Sequence, residues 1–193
     1  MIRLIALLGN PGKEYEKTRH NAAWLMADRL GFSDSLVWQE KFNGRYAVRN
    51  AGASSAAGNQ VYLVKPGTYM NLSGECVQKI MGFFKIAPDE MIAVHDELEL
   101  PFGTVGFRRA GGLGGHNGLR SLVKSLGTDD FYRFRIGIGR PARGDVTSHV
   151  LGRFSQEEEV VLDAYLRRAA GILETCEANP AEAEKNSKKI SVL

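Results

Sequence analysis

The sequence is poor in residues that could cross-link the chain or carry it across a membrane. Its only cysteines, Cys76 and Cys176, are too few for a disulfide framework or for a zinc site with four thiolate ligands. The apolar run at the N-terminus stops at Gly9, so it is too short for a signal peptide and far too short for a membrane span. These absences argue against the secreted disulfide-rich and membrane classes. We expect a cytoplasmic protein whose first apolar run is a buried strand.

Common catalytic motifs are also missing. No serine, cysteine or threonine lies in a nucleophile motif such as Gly-x-Ser-x-Gly, and no His-x-x-x-His pair provides the ligand spacing of a zinc hydrolase. The glycine-rich residues 111–115 are neither a Walker loop nor a dinucleotide-binding fingerprint after the first strand, and they predict a loop whose backbone can approach a ligand. A metal-dependent hydrolase using His20, His95, Asp96 and His116 is the less favoured alternative.

The composition is that of an ordinary globular domain, but the positive charge is unevenly distributed. A chain of 193 residues with 44% hydrophobic and 24% charged residues can bury the core of a single domain. The net charge is +3, yet residues 103–143 hold eight Lys and Arg against two acids, so that this segment carries +6 and the remainder −3. Such a local excess is the footprint of a polyanion site. A solvated positive face without a ligand is the alternative.

The spacing of apolar residues predicts alternating strands and helices. Strands are predicted at residues 2–8, 61–64, 91–94 and 131–139, with weaker candidates at 44–49 and 104–108. Helices are predicted at 21–30, 72–84, 119–126 and 155–177, the last with Ser155 as its N-cap. Residues 51–58 predict a flexible hairpin loop, and the polar tail at 179–193 predicts a frayed end. The expected fold is a single α/β domain over residues 1–193, with a mixed, mostly parallel, twisted sheet and helices on both faces.

Five polar residues lie in turns beside predicted strand ends. They are Asn10, His20, Asn71, Asp96 and Asn117. Because sites in α/β sheets gather at the carboxyl ends of strands, these residues could converge. An imidazole is a natural general base near neutral pH, a carboxylate can orient it, and amides can hold a water, polarise an ester carbonyl and stabilise an oxyanion. The grouping predicts a hydrolytic site without a metal, although each residue alone could instead be a helix cap or a turn residue.

At these residues the chain closely resembles bacterial peptidyl-tRNA hydrolases. The matching motifs are Gly-Asn-Pro-Gly (9–12) with Tyr15, Thr-Arg-His-Asn (18–21), Thr-Tyr-Met-Asn-Leu-Ser-Gly (68–74), His-Asp-Glu-Leu-Glu-Leu-Pro (95–101), Gly-Gly-His-Asn-Gly-Leu (114–119), Arg-Phe-Arg-Ile-Gly-Ile-Gly-Arg-Pro (133–141) and Val-Leu-Gly (150–152). The similarity covers residues 2–175. Several motifs of this length in one order make the resemblance highly specific.

The resemblance implies an activity and a set of roles. The activity is hydrolysis of the ester that joins a peptide to the 3′-terminal ribose of tRNA, carried out by a monomeric enzyme that needs no cofactor and frees stalled tRNA for recharging. His20 would be the general base, Asp96 would hold it, and Asn10 would distinguish a peptidyl group from a free amino acid. The remaining implied contacts are Tyr15, Tyr69, Asn71 and Asn117 along the channel for the peptide and the tRNA 3′ end, and Arg108 and Arg135 on tRNA phosphate.

Three positions depart from the family pattern. Ala110 stands where many relatives have the first of three glycines, and Ala23 replaces a common glycine. Both residues are small, so we expect altered loop stiffness rather than lost activity. Arg108 stands where lysine is frequent, which keeps the charge although the two side chains bind phosphate differently.

Two other classes are left open. A catalytically silent RNA-binding relative would keep the basic surface without needing His20 or Asp96. A peptidase or amidase of similar fold has no evident metal or nucleophile here, and it would not explain the basic segment. Salt distinguishes these classes, because tRNA binding releases counterions and weakens steeply as the salt concentration rises.

Overall fold

A computed structural model describes residues 1–50, 60–141, 143–186 and 189–193. These residues form one eight-stranded sheet covered by helices on both faces, which confirms the predicted fold class. The strands are β1 (Leu4–Leu7), β2 (Gln39–Lys41), β3 (Gly44–Asn50), β4 (Gln60–Pro66), β5 (Met91–Glu97), β6 (Thr104–Arg109), β7 (Tyr132–Gly137) and β8 (Ile190–Ser191). The helices are α1 (Ala22–Ala27), α2 (Ser73–Phe84), α3 (Asn117–Leu126), α4 (Val146–Leu151), α5 (Gln156–Ala178) and α6 (Pro180–Asn186). Within this described part of the chain, no helix is both long and apolar enough for a membrane span.

The strand order places the parallel part of the sheet at its centre. The order is β2-β3-β4-β1-β5-β7-β6-β8. The four central strands β4, β1, β5 and β7 run parallel, whereas β2, β3, β6 and β8 are added antiparallel at the two sides. Parallel strands leave their carboxyl ends on one edge of the sheet, so the residues that follow the central strands meet there.

The continuous apolar sequence of β1 fits its place at the centre of this sheet. Ile5 and Leu7 pack in the layer that contains α1 and α5, whereas Leu4 and Ala6 pack in the layer of α2 and α3. All four side chains are fully buried. Burying one large aliphatic side chain contributes about 1.5–3 kcal/mol, so the two layers hold the central strands and the turns at their ends firmly.

The predicted elements are present, with shifted ends. Strand β5 continues past the predicted segment 91–94 as far as Glu97, because residues 95–97 extend the parallel ladder with β7. Strand β7 ends before Gly139, which has a left-handed φ of 67°. Ser155 caps α5 as predicted, since its side chain accepts a hydrogen bond from the backbone N–H of Glu158. The hairpin loop predicted at 51–58 lies outside the described residues.

Within the described residues 179–186 and 189–193, the C-terminal tail forms a helix and a short paired strand and not the predicted frayed end. Helix α6 follows α5 directly, and β8 pairs antiparallel with β6. Ala183 and Val192 are buried, and Nη1 of Arg168 donates a hydrogen bond to the carbonyl oxygen of Val192 at 2.6 Å. The tail is mostly polar, and its few anchoring apolar residues are too widely spaced to form a periodic pattern in the sequence.

Candidate active site

A cleft of about 490 Å³ opens at the carboxyl edge of the sheet, where β1 and β5 end. Seven of the nine residues singled out by the sequence line it: Asn10, Tyr15, His20, Tyr69, Asn71, Asp96 and Asn117. The other two, Arg108 and Arg135, lie on β6 and β7 and are not part of the lining. The fold therefore brings the polar turn residues together and places the basic strands beside them.

His20 and Asp96 are paired inside this cleft. Nδ1 of His20 lies 2.8 Å from Oδ1 of Asp96, and both residues are buried. His20 lies in a 3-10 turn, Arg19–Asn21, directly before α1, and Asp96 lies near the end of β5. An ionised carboxylate only accepts hydrogen bonds, so Nδ1 of His20 donates the proton, and in the neutral ring the lone pair lies on Nε2. An imidazole held in this tautomer can act as a general base.

His116 is a second partner of the same carboxylate oxygen. Its Nε2 lies 2.9 Å from Oδ1 of Asp96, and its Nδ1 accepts hydrogen bonds from the backbone N–H groups of Gly118 and Leu119. Because Nδ1 uses its lone pair in this way, the ring carries its proton on Nε2 and donates it to Asp96. His116 is therefore both the N-cap of α3 and a hydrogen-bond donor to the His20–Asp96 pair.

The two imidazoles keep the buried carboxylate ionised. Burial by itself raises the pKa of Asp96, but the neighbouring His20 and His116 rings hold that pKa well below its ordinary value. Next to them, burial and the nearby His116 lower the pKa of His95 well below 6.5. Nδ1 of His95 lies 2.7 Å from the backbone carbonyl oxygen of Asp96. Burial thus favours the neutral form of His95, whose ring centroid lies 4.9 Å from that of His116.

His20, Asp96 and His116 also have the spacing of a candidate metal site, with one ligand atom from each within 4.8 Å of the others. The sequence predicts no metal, and the hydrogen bonds already give each side chain a partner. Because Nδ1 of His116 caps α3, an ion bound at Nε2 would have to displace the proton that this atom donates to Asp96. Turnover measured in the presence of a chelator distinguishes a metal site from a hydrogen-bonded site that works without a metal.

Asn10 is held rigidly at the end of β1. Its backbone N–H donates to Oδ1 of Asn21 at 2.8 Å, and its carbonyl oxygen accepts from Nδ2 of the same side chain at 3.0 Å. Oδ1 of Asn10 accepts a hydrogen bond from the backbone N–H of Met70 at 2.7 Å. This contact identifies the oxygen end of the amide, so the NH₂ group is the end left to meet a ligand.

The remaining predicted channel residues flank the cleft. The rings of Tyr15 and Tyr69 meet edge to face, with centroids 6.3 Å apart, and Tyr69 is 57% exposed. Asn71 lies in the 3-10 turn Met70–Leu72, and Asn117 is the first residue of α3. These side chains supply aromatic surface and amide groups around the His20 imidazole without a covalent nucleophile.

A cluster of three arginines lies on the adjacent strands. Arg108 is paired across the strands with Arg133, and both guanidinium groups donate to the carbonyl oxygen of Gly112, at 2.8 and 3.0 Å. Nη1 of Arg135 lies 3.8 Å from Oε2 of Glu97, which lines the cleft. Burial, with a contribution from Arg108, lowers the pKa of Arg133 to about 10, so this group is still charged at neutral pH. Concentrated positive charge of this kind is suited to binding an anion.

Ala110 and Ala23, the two alanines that replace glycines common in the family, lie in different surroundings. Ala110 has a left-handed φ of 54°, which costs a non-glycine residue about 1–2 kcal/mol, and its N–H donates to the carbonyl oxygen of Phe131. Ala23 is fully buried in α1, where a small side chain packs well. The expected change in loop stiffness stays a prediction.

Sequence reasoning missed three contributors to the site. The sequence suggests His116 only as a metal ligand, because the predicted helix begins at residue 119, whereas α3 begins at Asn117 and His116 caps it. Asn21 and the backbone of Met70, which fix Asn10, lie inside the quoted motifs but carry no separate signal. Their roles depend on contacts between segments far apart in the chain.

Comparison with known proteins identifies the family of this chain. The family described as Peptidyl-tRNA hydrolase matches residues 4–191. Peptidyl-tRNA hydrolase of Geobacillus kaustophilus is 47% identical over 90% of this chain and 91% of that protein, and the Bacillus pumilus protein of the same name is 46% identical over 89% and 88%. A crystal structure of peptidyl-tRNA hydrolase from Acinetobacter baumannii superposes with a TM-score of 0.83 at 36% identity, covering 96% of this chain and 93% of that one. The chain therefore belongs to the peptidyl-tRNA hydrolase family, whose members hydrolyse the ester bond of peptidyl-tRNA.

Proposed function

We propose that this enzyme cleaves peptidyl-tRNA by direct attack of a water molecule that His20 activates, without a metal. The observation that carries the proposal is the pair formed by Nδ1 of His20 and Oδ1 of Asp96, which leaves Nε2 of His20 as a base in a cleft lined with amides. No covalent acyl-enzyme is needed, because an ester is already an activated acyl group.

The proposed reaction has two proton transfers. Nε2 of His20 removes a proton from the water as its oxygen attacks the ester carbonyl carbon, and a tetrahedral oxyanion forms. Amide NH₂ groups at the cleft, with Asn117 and Asn71 as the candidates, donate to that oxyanion. The bond to the ribose 3′ oxygen then breaks, and the imidazolium returns the proton to this oxygen. The products are a peptide carboxylic acid, which releases its proton to solvent as it ionises, and tRNA with a free 3′ hydroxyl group.

The rate accelerations expected from these groups are large enough for the hydrolysis of an ester. General base catalysis typically contributes about 10²–10⁴-fold, and one oxyanion donor about 10²–10³-fold. Asp96 supports the first contribution, because its negative charge stabilises the imidazolium that forms when His20 takes the proton.

We further propose that the arginine cluster positions the substrate through its tRNA. Arg108 and Arg135 lie on β6 and β7, beside the cleft, where the tRNA backbone would lie when the ester reaches His20. Phosphate contacts fix the register of a nucleic acid and dominate its affinity. We also propose that the enzyme acts as a monomer in the cytoplasm.

The decisive comparison uses three substrates with the purified protein: N-acetyl-alanyl-tRNA, alanyl-tRNA with a free amino group, and an N-acetylated alanine peptide amide. We expect rapid release of N-acetyl-alanine from the first and little reaction with the others. Cleavage of the peptide amide would favour a peptidase. Binding of tRNA without any turnover would favour a silent RNA-binding protein.

A further inference from the structure

A second cleft, of about 800 Å³, lies beside the active-site cleft. It is lined by residues from segments 11–17, 24–28, 40–45 and 65–67, and the proposed reaction uses none of them. Its volume falls within the range of about 300–1,000 Å³ that is usual for ligand sites.

The two clefts share their walls. Asn10 lines the active-site cleft, and the next two residues line the second cleft. Tyr15 lines the active-site cleft, whereas the two residues after it line the second cleft. Likewise, Gly67 lines the second cleft and Tyr69 lines the active-site cleft. The dividing segment 67–70 is tied on both sides, since the N–H of Gly67 donates to the carbonyl oxygen of Asn43 at 2.8 Å and the N–H of Met70 donates to Oδ1 of Asn10 at 2.7 Å. The edge-to-face pair of Tyr15 and Tyr69 lies along this divide.

Three sites follow one another along the same region of the sheet. The arginine cluster lies on β6 and β7, the His20–Asp96 pair lies where β1 and β5 end, and the second cleft lies at the junction of β3 and β4. The substrate has the same linear order, with tRNA on one side of the ester and the peptide on the other. We propose that the second cleft binds the residues of the nascent peptide that lie farther from the ester, a conclusion that rests on the proposed function.

The charge of the second cleft fits a peptide better than a nucleic acid. Its lining contains four basic and three acidic side chains: Lys17, Lys41, Arg45, Lys65, Glu16, Asp28 and Glu40. A groove that follows an RNA backbone carries a clear excess of positive charge, as the arginine cluster does. A lining with nearly balanced charge that also contains the apolar side chains of Trp24 and Leu25 instead suits nascent chains of varied sequence.

Lys65, one of the basic side chains of the second cleft, forms an ion pair within its lining. Its Nζ lies 3.0 Å from Oδ1 of Asp28 and faces the rings of Trp38 and Trp24, at 5.1 and 6.0 Å from their centroids. The ammonium group is thus paired with a carboxylate and attracted to two aromatic faces. Both tryptophans of the chain therefore lie at or beside the second cleft, where they can report on its occupancy.

The kinetic test varies the length of the peptide on one tRNA. The substrates are N-acetylated alanine peptides of one, two, four and six residues, and the variant is Arg45→Trp, which narrows the second cleft from an exposed strand position that tolerates an aromatic residue. Arg167→Trp on α5 is the matched control, because it makes the same substitution at an exposed site outside both clefts.

For the wild type and the control, we expect kcat/KM to rise about tenfold from one to six residues, the equivalent of one good binding contact. Arg45→Trp should cleave the one-residue substrate like the wild type and show little of that rise. A wild-type rate independent of length, or the same length profile in Arg45→Trp and the wild type, would overturn the inference while leaving the proposed function intact. If the wild type fails to cleave even N-acetyl-alanyl-tRNA, the proposed function fails and this inference fails with it.

A binding measurement that needs no turnover uses the His20→Ala variant. Tryptophan emission, excited at the red edge to avoid tRNA absorption, should change on adding the six-residue substrate and stay constant on adding the one-residue substrate. Equal responses to both substrates, or none to either while both bind, would contradict occupancy of the second cleft.

Discussion

His116 joins the Asp96 carboxylate to a helix terminus, with its Nε2 2.9 Å from Oδ1 of Asp96 and its Nδ1 at the N-cap position of α3. The ring thus has two separable roles, one in stability and one in holding Asp96 for His20. The geometry implies that one residue couples the position of the carboxylate to the start of α3.

Two substitutions of His116 should separate these roles. His116→Ala removes the cap and the donor to Asp96, so we expect a stability loss of about 1 kcal/mol and a fall in kcat of about tenfold. His116→Asn restores a good N-cap but is too short to reach Asp96, so stability should recover while kcat stays low. Thermal melts and single-turnover rates check both; a wild-type kcat in both variants would refute the role of His116 toward Asp96.

Asn10→Asp should weaken discrimination against free aminoacyl-tRNA. The aspartate can still accept the hydrogen bond from the N–H of Met70, but its second oxygen replaces the NH₂ donor and would attract the ammonium group of an unblocked amino acid. We expect the ratio of kcat/KM for N-acetyl-alanyl-tRNA over alanyl-tRNA to fall about tenfold or more. Asn179→Asp, the same change before α6, is the control. Unchanged selectivity in Asn10→Asp would rule out this role.

The pH dependence of stability should carry a contribution from His95. Its pKa in the folded protein is well below 6.5, whereas the unfolded chain takes up a proton near that value. The unfolded state therefore binds more protons below about pH 6.5. The free energy of unfolding should drop by up to about 1.4 kcal/mol for each pH unit below this point.

The His95→Asn variant tests this contribution, because its amide can still donate to the backbone carbonyl oxygen of Asp96 but does not titrate. Urea melts between pH 7.5 and pH 5 should show a shallower slope of stability against pH in the variant, whatever its absolute stability. Parallel slopes would show that His95 is protonated in the folded protein.

Replacing Arg108 and Arg135 together with alanine should raise KM and leave kcat nearly unchanged. The slope of log affinity for tRNA against log salt concentration should decrease by about 0.7–0.9 for each phosphate that the variant no longer binds. The control is the double alanine variant of Arg29 and Arg167, which removes the same charge from residues that both pair with Asp163. A collapse of kcat with KM preserved would contradict a phosphate-binding role.

The sequence predicted which residues meet in the cleft better than it predicted the contacts between them. The turns around Asn10 and His20 and the end of the apolar run before Asp96 placed all three at strand ends, because apolar periodicity and turn residues are local signals. The sharing of one Asp96 oxygen by His20 and His116 could not be predicted, since it depends on the register of β5 against segments 20–76 residues away. The docked tail was missed for a similar reason, because β8 is defined only by its partner β6.

The proposed role of His20 is to activate water without a metal. The most direct measurement is release of N-acetyl-alanine from N-acetyl-alanyl-tRNA in the presence of EDTA, with wild type and His20→Ala side by side and a thermal melt of each. We predict full turnover by the wild type in EDTA and a loss of at least about 10²-fold in the variant, with a cooperative melt retained. Activity that EDTA abolishes and Zn²⁺ restores, or near-normal turnover by a folded His20→Ala variant, would contradict the claim.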